Sequence, residues 1–240
     1  MISLENEHVK ATFELKGAEL KSLFNKDTEL DYLWNSNPDF WGKSSPVLFP
    51  IVGALRDHTY RYRDQDYHLP RHGFARDQKF DVEKISDLEV CFSLHSNADL
   101  LEIYPFDFSL KICYRLQGAE LTCSYEVYNP ADEPLLFSIG AHPAFKVPLK
   151  DNSSYEQHYL QFNLDHEITY HKITDNLIDT KTDCLKLVDG KLPLKHSLFV
   201  DDALVFKSLR SNQIDILNEV NSHGIRFTFK DFPYFGIWSA

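Results

Sequence analysis

The run Phe106-Asp107-Phe108-Ser109-Leu110-Lys111-Ile112-Cys113-Tyr114-Arg115-Leu116-Gln117 decides the fold class, because apolar and polar residues alternate strictly along it. Gly118-Ala119 follows as a turn, and the alternation resumes over residues 121–128. A side-chain period of two is that of a β-strand with one buried face, and two such runs joined by a glycine-containing turn predict a hairpin. The pattern therefore indicates an antiparallel sheet packed on a second layer.

The same alternation recurs on both sides of this hairpin. It is found in residues 9–15, 18–24, 79–85 and 89–95, and again in residues 198–209, 214–219 and 224–229. No segment has the long, capped period of a helix, and no linker or low-complexity tract interrupts the sequence. We therefore predict an all-β protein, a large antiparallel β-sandwich formed by a single domain over residues 1–240.

Composition and charge narrow the class of protein further. The 240 residues include 18 Phe and 12 Tyr, an aromatic content that favours strands. The formal net charge of −11 repels phosphate backbones, so we expect no nucleic acid partner. No apolar run approaches the about 20 residues that cross a bilayer, so no membrane partner is expected. The N-terminus lacks the basic and apolar regions of a signal peptide, which predicts a cytoplasmic location.

The cysteines give no metal or redox signal. Cys91, Cys113, Cys123 and Cys184 form no Cys-x-x-Cys pair. The first three fall inside predicted strands, where reduced thiols pack as small apolar groups. We therefore expect reduced cysteines with a structural role.

Two histidine segments stand out as candidates for a site. In Phe137-Ser138-Ile139-Gly140-Ala141-His142-Pro143-Ala144-Phe145, the proline restricts the backbone of the preceding histidine to an extended conformation at the end of a strand. The second segment is Leu69-Pro70-Arg71-His72-Gly73-Phe74-Ala75-Arg76. We predict that these segments line one wall of a site. The structural alternatives are a core histidine for His142 and a turn histidine for His72.

Six segments form an ordered set that spans the chain. They are Leu48-Phe49-Pro50-Ile51-Val52-Gly53, Arg71-His72-Gly73-Phe74-Ala75-Arg76, Tyr104-Pro105-Phe106-Asp107-Phe108, Gly140-Ala141-His142-Pro143-Ala144-Phe145, Asp201-Asp202-Ala203-Leu204 and Phe232-Pro233-Tyr234-Phe235-Gly236-Ile237-Trp238. Together they resemble the aldose 1-epimerase (galactose mutarotase) superfamily. The likeness is strongest to the mutarotase-like branch associated with lactose operons, which is related to hexose-6-phosphate epimerases.

The resemblance implies a β-supersandwich with a sugar cleft and an isomerase that interconverts the α and β anomers of a hexose or hexose phosphate without a cofactor. An acid protonates the ring oxygen while a base takes the proton of the anomeric hydroxyl, which suits a histidine paired with a carboxylate. The resemblance assigns the acid to His142 and sugar contacts to His72 and Asp202. It also matches Arg76 to the arginine that ends the His-Gly-Phe-Ala-Arg pattern, which implies a contact with sugar oxygen or phosphate, and it extends more loosely to Arg56.

Each of the last three residues also has a structural interpretation. Asp202 fits an ordinary acidic turn, Arg76 fits an ion-paired surface arginine, and Arg56 fits the surface better than the site. Metal catalysis is a chemical competitor, but the His-x-His pattern of metal-binding jelly rolls does not occur, so we predict no metal ligand.

One departure from the family pattern concerns the base. The family's glutamate lies on a strand just after the Gly-Ile-Trp segment, and this sequence ends at Ala240, before that strand. We therefore expect a domain without the family's final C-terminal strands, most simply a shortened sequence. This departure leaves a second hypothesis open, a non-catalytic carbohydrate-binding protein on the same scaffold. Either hypothesis is compatible with a monomer or a homodimer.

Overall fold

The computed structural model describes residues 1–150 and 152–239, and it is built mainly of strands. Strands account for 45% of the residues and helices for 8%. Within the described residues, all pairings between strands are antiparallel. The prediction of an all-β antiparallel fold is therefore confirmed. Over the same residues, no helix has the length and apolar character needed to cross a membrane.

The chain divides into two compact units, residues 1–146 and the residues from Val147 onward. The first unit contains two four-stranded sheets, with the strand orders β1-β2-β3-β4 and β11-β10-β9-β8. Their strands are β1 (Ile2–Glu5), β2 (Val9–Phe13), β3 (Leu20–Asn25), β4 (Leu30–Asp31), β8 (Asp81–Lys84), β9 (Glu89–His95), β10 (Ser109–Gln117) and β11 (Glu120–Tyr128).

The hairpin predicted from the alternating pattern is formed by β10 and β11. Its register runs from Ser109 opposite Tyr128 to Gln117 opposite Glu120. The apolar face of the hairpin packs on the other sheet, where the ring of Phe13 lies 4.5 Å from that of Tyr114 between centroids. The Tyr114 hydroxyl donates a hydrogen bond of 3.0 Å to the carbonyl of Ala18, so its polar end is satisfied in the core.

The prediction of reduced cysteines is wrong for two of the four. Cys91 on β9 and Cys113 on β10 are directly opposite in the strand register, and they form a disulfide. Both lie on the polar face of the sheet, because Cys113 alternates with the buried residues Ile112 and Tyr114. Cys123 and Cys184 are free thiols, and Cys123 packs against the core as expected.

Short elements complete the first unit. β5 (Val47–Leu48) pairs with β12 (Gly140–Ala141), and β6 (Thr59–Tyr62) pairs with β7 (Gln65–His68). One helix, α1 (Ala98–Ile103), starts at Asn97, whose side chain accepts a hydrogen bond from the Leu100 amide. Two 3₁₀ turns, Arg56–His58 and Ala75–Asp77, lie in the segments that surround the histidine motif.

The second unit also consists of two four-stranded sheets around one core, with the orders β16-β13-β18-β19 and β15-β14-β17-β20. The strands are β13 (His158–Phe162), β14 (Glu167–Thr174), β15 (Leu177–Lys186), β16 (Lys191–Pro193), β17 (Leu204–Phe206), β18 (Gln213–Asn218), β19 (Ile225–Thr228) and β20 (Phe235–Ile237). The 3₁₀ turns of this unit are Tyr155–Gln157 and His196–Phe199. The predicted strand over residues 198–209 is thus shorter than expected.

Candidate functional site

The backbone around His142 is fixed by the segment that leads into β5. β12 ends at Ala141, and the His142 amide donates a hydrogen bond of 3.2 Å to the Pro46 carbonyl. Two residues further on, the Ala144 amide donates a bond of 2.8 Å to the Ser44 carbonyl. His142 is therefore held at a strand end by bonds on both sides, as the His-Pro pattern predicts.

His72 lies on a tight turn whose geometry sets its protonation state. Its backbone has a φ of +69°, in the left-handed region. The His72 amide donates to the Gly53 carbonyl at 2.7 Å, and the Gly53 amide donates to Nδ1 of the His72 ring at 3.0 Å. Since Nδ1 accepts a hydrogen bond, the ring proton of neutral His72 is on Nε2. Nε2–H is therefore the hydrogen-bond donor of the neutral His72 ring.

The structure brings the two histidines together. The rings of His72 and His142 are 5.8 Å apart between centroids and nearly perpendicular, at 82°. The indole ring of Trp41 packs against the imidazole of His142. The centroids of these two rings are 4.7 Å apart, and their planes are inclined by 31°. A polar wall of two imidazoles with an adjacent aromatic ring is an arrangement that suits a small polar ligand.

Two arginines of the same motif surround this pair with positive charge. The Arg76 side chain donates through Nη2 to the Arg71 carbonyl at 2.8 Å, and its Nε lies 3.7 Å from the Asp77 carboxylate. Burial, followed by the positive charges of His142, Arg71 and Arg76, lowers the pKa of His72 to about 3. Burial also lowers the pKa of His142, and Arg76 and Arg71 add to this effect, which a backbone hydrogen bond of His142 partly opposes. Both shifts favour the neutral form of the imidazole over the protonated form.

Arg71 was not predicted as a site residue, and Trp41 was considered only as one of three tryptophans able to stack on a sugar in the carbohydrate-binding hypothesis. Arg71 is the first residue of the Arg-His-Gly-Phe-Ala-Arg motif, so its position one residue before His72 was the available signal. Trp41 lies in an aromatic loop that follows β4, about a hundred residues before His142. Its contact with His142 depends on long-range pairing that no local pattern gives.

The two remaining candidates, Arg56 and Asp202, are described by their local structure alone. Arg56 is exposed on the 3₁₀ turn Arg56–His58, three residues after Gly53. Asp202 belongs to the second unit, where it has a φ of +79° and its carboxylate accepts the Ala203 amide at 2.7 Å. Across residues 1–150 and 152–239, no three His, Cys, Asp or Glu side chains are placed to hold a metal ion together.

Solved structures share this all-β fold over nearly the whole chain. A galactose mutarotase related enzyme from Lactobacillus acidophilus matches with a TM-score of 0.94 and 32% identity, over 99% of this chain and 80% of that one. A galactose mutarotase-like protein from Lactobacillus casei ATCC 334 matches with a TM-score of 0.90 and 32% identity, over 100% of this chain and 82% of that one. The fold is therefore the galactose mutarotase-like one.

The sequence comparisons identify the family. The sequence profile described as Aldose 1-epimerase matches residues 1–240. The chromosomal and plasmid forms of Protein LacX from Lactococcus lactis subsp. lactis are each 34% identical over 248 residues, with 100% of this chain and 83% of the relative covered. The chain belongs to the aldose 1-epimerase family, which confirms the resemblance and supports an isomerase-type role on a sugar.

Proposed function

We propose that the protein interconverts the α and β anomers of a hexose or hexose phosphate by acid–base ring opening. The contact between the His72 and His142 rings, in a chain of the aldose 1-epimerase family, is the observation that supports this proposal. His142 acts as the acid, and His72 donates its Nε2 proton in a hydrogen bond to a sugar oxygen. Arg76, with Arg71 beside it, binds oxygen atoms of the sugar or of a phosphate group. Asp202 and Arg56 remain predicted contacts of the substrate.

In the proposed reaction, protonated His142 transfers its proton to the ring oxygen and the bond between that oxygen and C1 breaks. A base takes the proton of the anomeric hydroxyl, and a carbonyl forms at C1. Rotation about the C1–C2 bond and reversal of these steps give the other anomer. The base is not assigned to a described residue. Family resemblance places it on a glutamate that follows the Gly-Ile-Trp segment.

Arg71 and Arg76 affect which substrate favours the protonated form of His142, the proposed acid. Burial is the main cause of the lowered pKa of His142, and Arg76 and Arg71 lower it further in the free protein. A phosphate group bound beside these guanidinium groups offsets their positive charge, which raises the pKa of His142 and increases the protonated fraction. This effect favours a hexose phosphate over a free hexose.

Anomer exchange followed by NMR tests the proposal. Galactose, glucose and glucose 6-phosphate are each mixed with the protein, and the rate of exchange between anomers is measured. We expect acceleration with one of them and its loss in His142→Ala, whereas His95→Ala, which changes an exposed histidine of β9, keeps the wild-type rate. A His142→Ala protein with unchanged catalysis would contradict the proposal.

A second candidate function is non-catalytic sugar binding. The lowered pKa values of His72 and His142 favour it, since both shifts disfavour the protonated imidazole that an acid requires. In that case the same NMR spectra show ligand shifts that saturate with each sugar, without faster exchange.

The proposal also includes a cytoplasmic location, one domain over residues 1–240 and a monomer or homodimer. Light scattering coupled to gel filtration measures the oligomeric state directly, with a mass near 27.9 kDa for a monomer.

A further inference from the structure

Glu19 is a buried carboxylate that the proposed chemistry does not use. Its residue is 3% exposed, and Oε1 accepts hydrogen bonds from the Ser44 amide at 2.6 Å and the Ser45 amide at 3.2 Å. Lys21 is its cation, with Nζ 3.6 Å away. Burying a charged group is costly unless it is paired and hydrogen-bonded, so these bonds determine where the carboxylate lies.

The segment that Glu19 holds is the one that fixes the backbone of His142. The Ser44 carbonyl accepts the Ala144 amide, and the Pro46 carbonyl accepts the His142 amide. The Ser44 hydroxyl is itself hydrogen-bonded to the Ser36 hydroxyl. Glu19 therefore accepts hydrogen bonds from amides of residues 44 and 45. Carbonyls of residues 44 and 46 in turn accept the bonds from Ala144 and His142.

The same segment ends the aromatic loop that includes Trp41. The Trp41 carbonyl accepts a bond of 2.8 Å from the indole of Trp34, and Lys43 donates to the Asp77 carboxylate at 3.1 Å. Residues 44 and 45 follow directly. A shift of this stretch moves the indole that contacts the His142 ring.

We propose that Glu19 is a positioning residue for the reaction of this site, which it serves by holding residues 44–46 and, through them, His142 and Trp41. The inference rests on the proposed function. The Glu19 side chain is long enough for its carboxylate to accept hydrogen bonds from the amides of residues 44 and 45. In this role it does not contact the substrate. The charged groups that face His142 are Arg71 and Arg76, with His72 as the titratable neighbour.

Two conservative variants separate the effect of the length of the Glu19 side chain from the effect of its charge. Glu19→Gln keeps an acceptor oxygen at the same distance, and Glu19→Asp keeps the charge but withdraws it by one methylene. We expect kcat to fall about a hundredfold in Glu19→Asp with little change in KM, because small displacements of catalytic groups have effects of this size. Glu19→Gln stays within about threefold of the wild type. The opposite order of the two variants overturns the proposal, as does wild-type activity in Glu19→Asp.

A second measurement does not depend on catalysis. In Glu19→Asp, the loosened segment admits water to His142, so the pKa of His142 measured by NMR titration rises towards its ordinary value, and tryptophan fluorescence shifts to the red. Neither the pKa of His142 nor the tryptophan fluorescence is expected to change in Glu19→Gln.

Asp165→Asn is the matched control. The Asp165 carboxylate is buried in the second unit and also accepts hydrogen bonds from two backbone amides, those of Arg210 and Ser211. It is expected to leave the His142 titration unchanged.

The two readouts distinguish failure of this inference from failure of the proposed function. If the wild type accelerates no anomer exchange but the His142 titration differs between the variants as expected, the positioning role stands and the reaction is wrong. If the titration is the same in the wild type, Glu19→Gln and Glu19→Asp, the positioning role is overturned whatever the activity.

Discussion

The left-handed backbone of His72 is stabilised by reciprocal bonds with Gly53. Outside glycine, such a conformation is uncommon, and it persists where the surrounding structure determines it. Here the ring and the amide of His72 both bond to the backbone of one residue, Gly53, so the conformation that is unfavourable for the chain also orients the imidazole. The strain and the position of the ring therefore have the same cause.

Stability should depend on pH through His72. Its pKa is about 3 in the folded protein and about 6.5 in an unfolded chain. Between these values the unfolded chain binds a proton that the folded chain does not, so this contribution to stability is present above pH 6.5 and is lost as the pH falls towards 3. His72→Asn tolerates the left-handed backbone, accepts the Gly53 amide and does not titrate in this range.

We expect urea denaturation to show a smaller loss of stability between about pH 7 and about pH 4.5 in His72→Asn than in the wild type. His95→Asn, at an exposed position, should lose as much stability as the wild type. Equal losses in His72→Asn and the wild type would show that His72 is not the group responsible.

Gly73 is required by both its conformation and its surroundings. Its φ is +71°, and a Cβ atom there would collide with the Phe49 carbonyl. Gly73→Ala should therefore cost about 3 kcal/mol or more of unfolding free energy. Gly118→Ala is the control, because Gly118 has a φ of +57° with open space around it, and strain alone costs about 1 kcal/mol. Similar losses in the two variants would mean that the contact with Phe49 is unimportant.

At the scale of elements, sequence periodicity predicted where strands lie and which residues share a face of a strand. It did not predict which residues of neighbouring strands are opposite each other. The β10–β11 hairpin follows from alternation and a turn signal, both of which are local. The disulfide required knowing that Cys91 is opposite Cys113, which depends on the pairing of β9 with β10. The contact of Trp41 with His142 depends in the same way on residues 44–46 meeting residues 142–144.

Removing the disulfide should weaken the β9–β10 pair. The bond closes a loop with a sequence separation of 22, which corresponds to about 3 kcal/mol in the chain-entropy description. Cys91→Ser combined with Cys113→Ser should lose stability of this order in urea denaturation under non-reducing conditions. Cys184→Ser, at an exposed free thiol, should lose none. A thiol assay on the denatured, unreduced wild type should find two free thiols, and four would contradict the disulfide.

The strand predicted over residues 198–209 shows where periodicity misleads within one element. A 3₁₀ turn occupies His196–Phe199, and β17 starts at Leu204. Between them Asp202 has a left-handed backbone, which interrupts an extended chain even though apolar residues continue on both sides. Alternation alone does not register this break, because it reports side-chain polarity and not backbone conformation.

Over the whole molecule, composition and alternation were sufficient for the fold class. A chain rich in Phe and Tyr with repeated period-two segments is all-β, and each unit does consist of antiparallel sheets around an apolar core. The grouping of the strands into two compact units was not evident from the sequence, because sheet membership is set by pairings between distant segments. The single-domain description stays a prediction.

The disulfide between β9 and β10 has a mechanical consequence. If the protein is stretched between its ends, the residues between Cys91 and Cys113 are shielded from the force, because tension passes through the sulfur atoms. The extended length released on unfolding should therefore grow by about 70 Å when a reductant is added, because a separation of 22 at roughly 3.4 Å per residue replaces the 4.1 Å that the disulfide spans between Cα atoms. Optical-tweezer traces recorded with and without reductant would measure this difference, and α1 together with the strand β10 up to Cys113 would extend only in the reduced molecule.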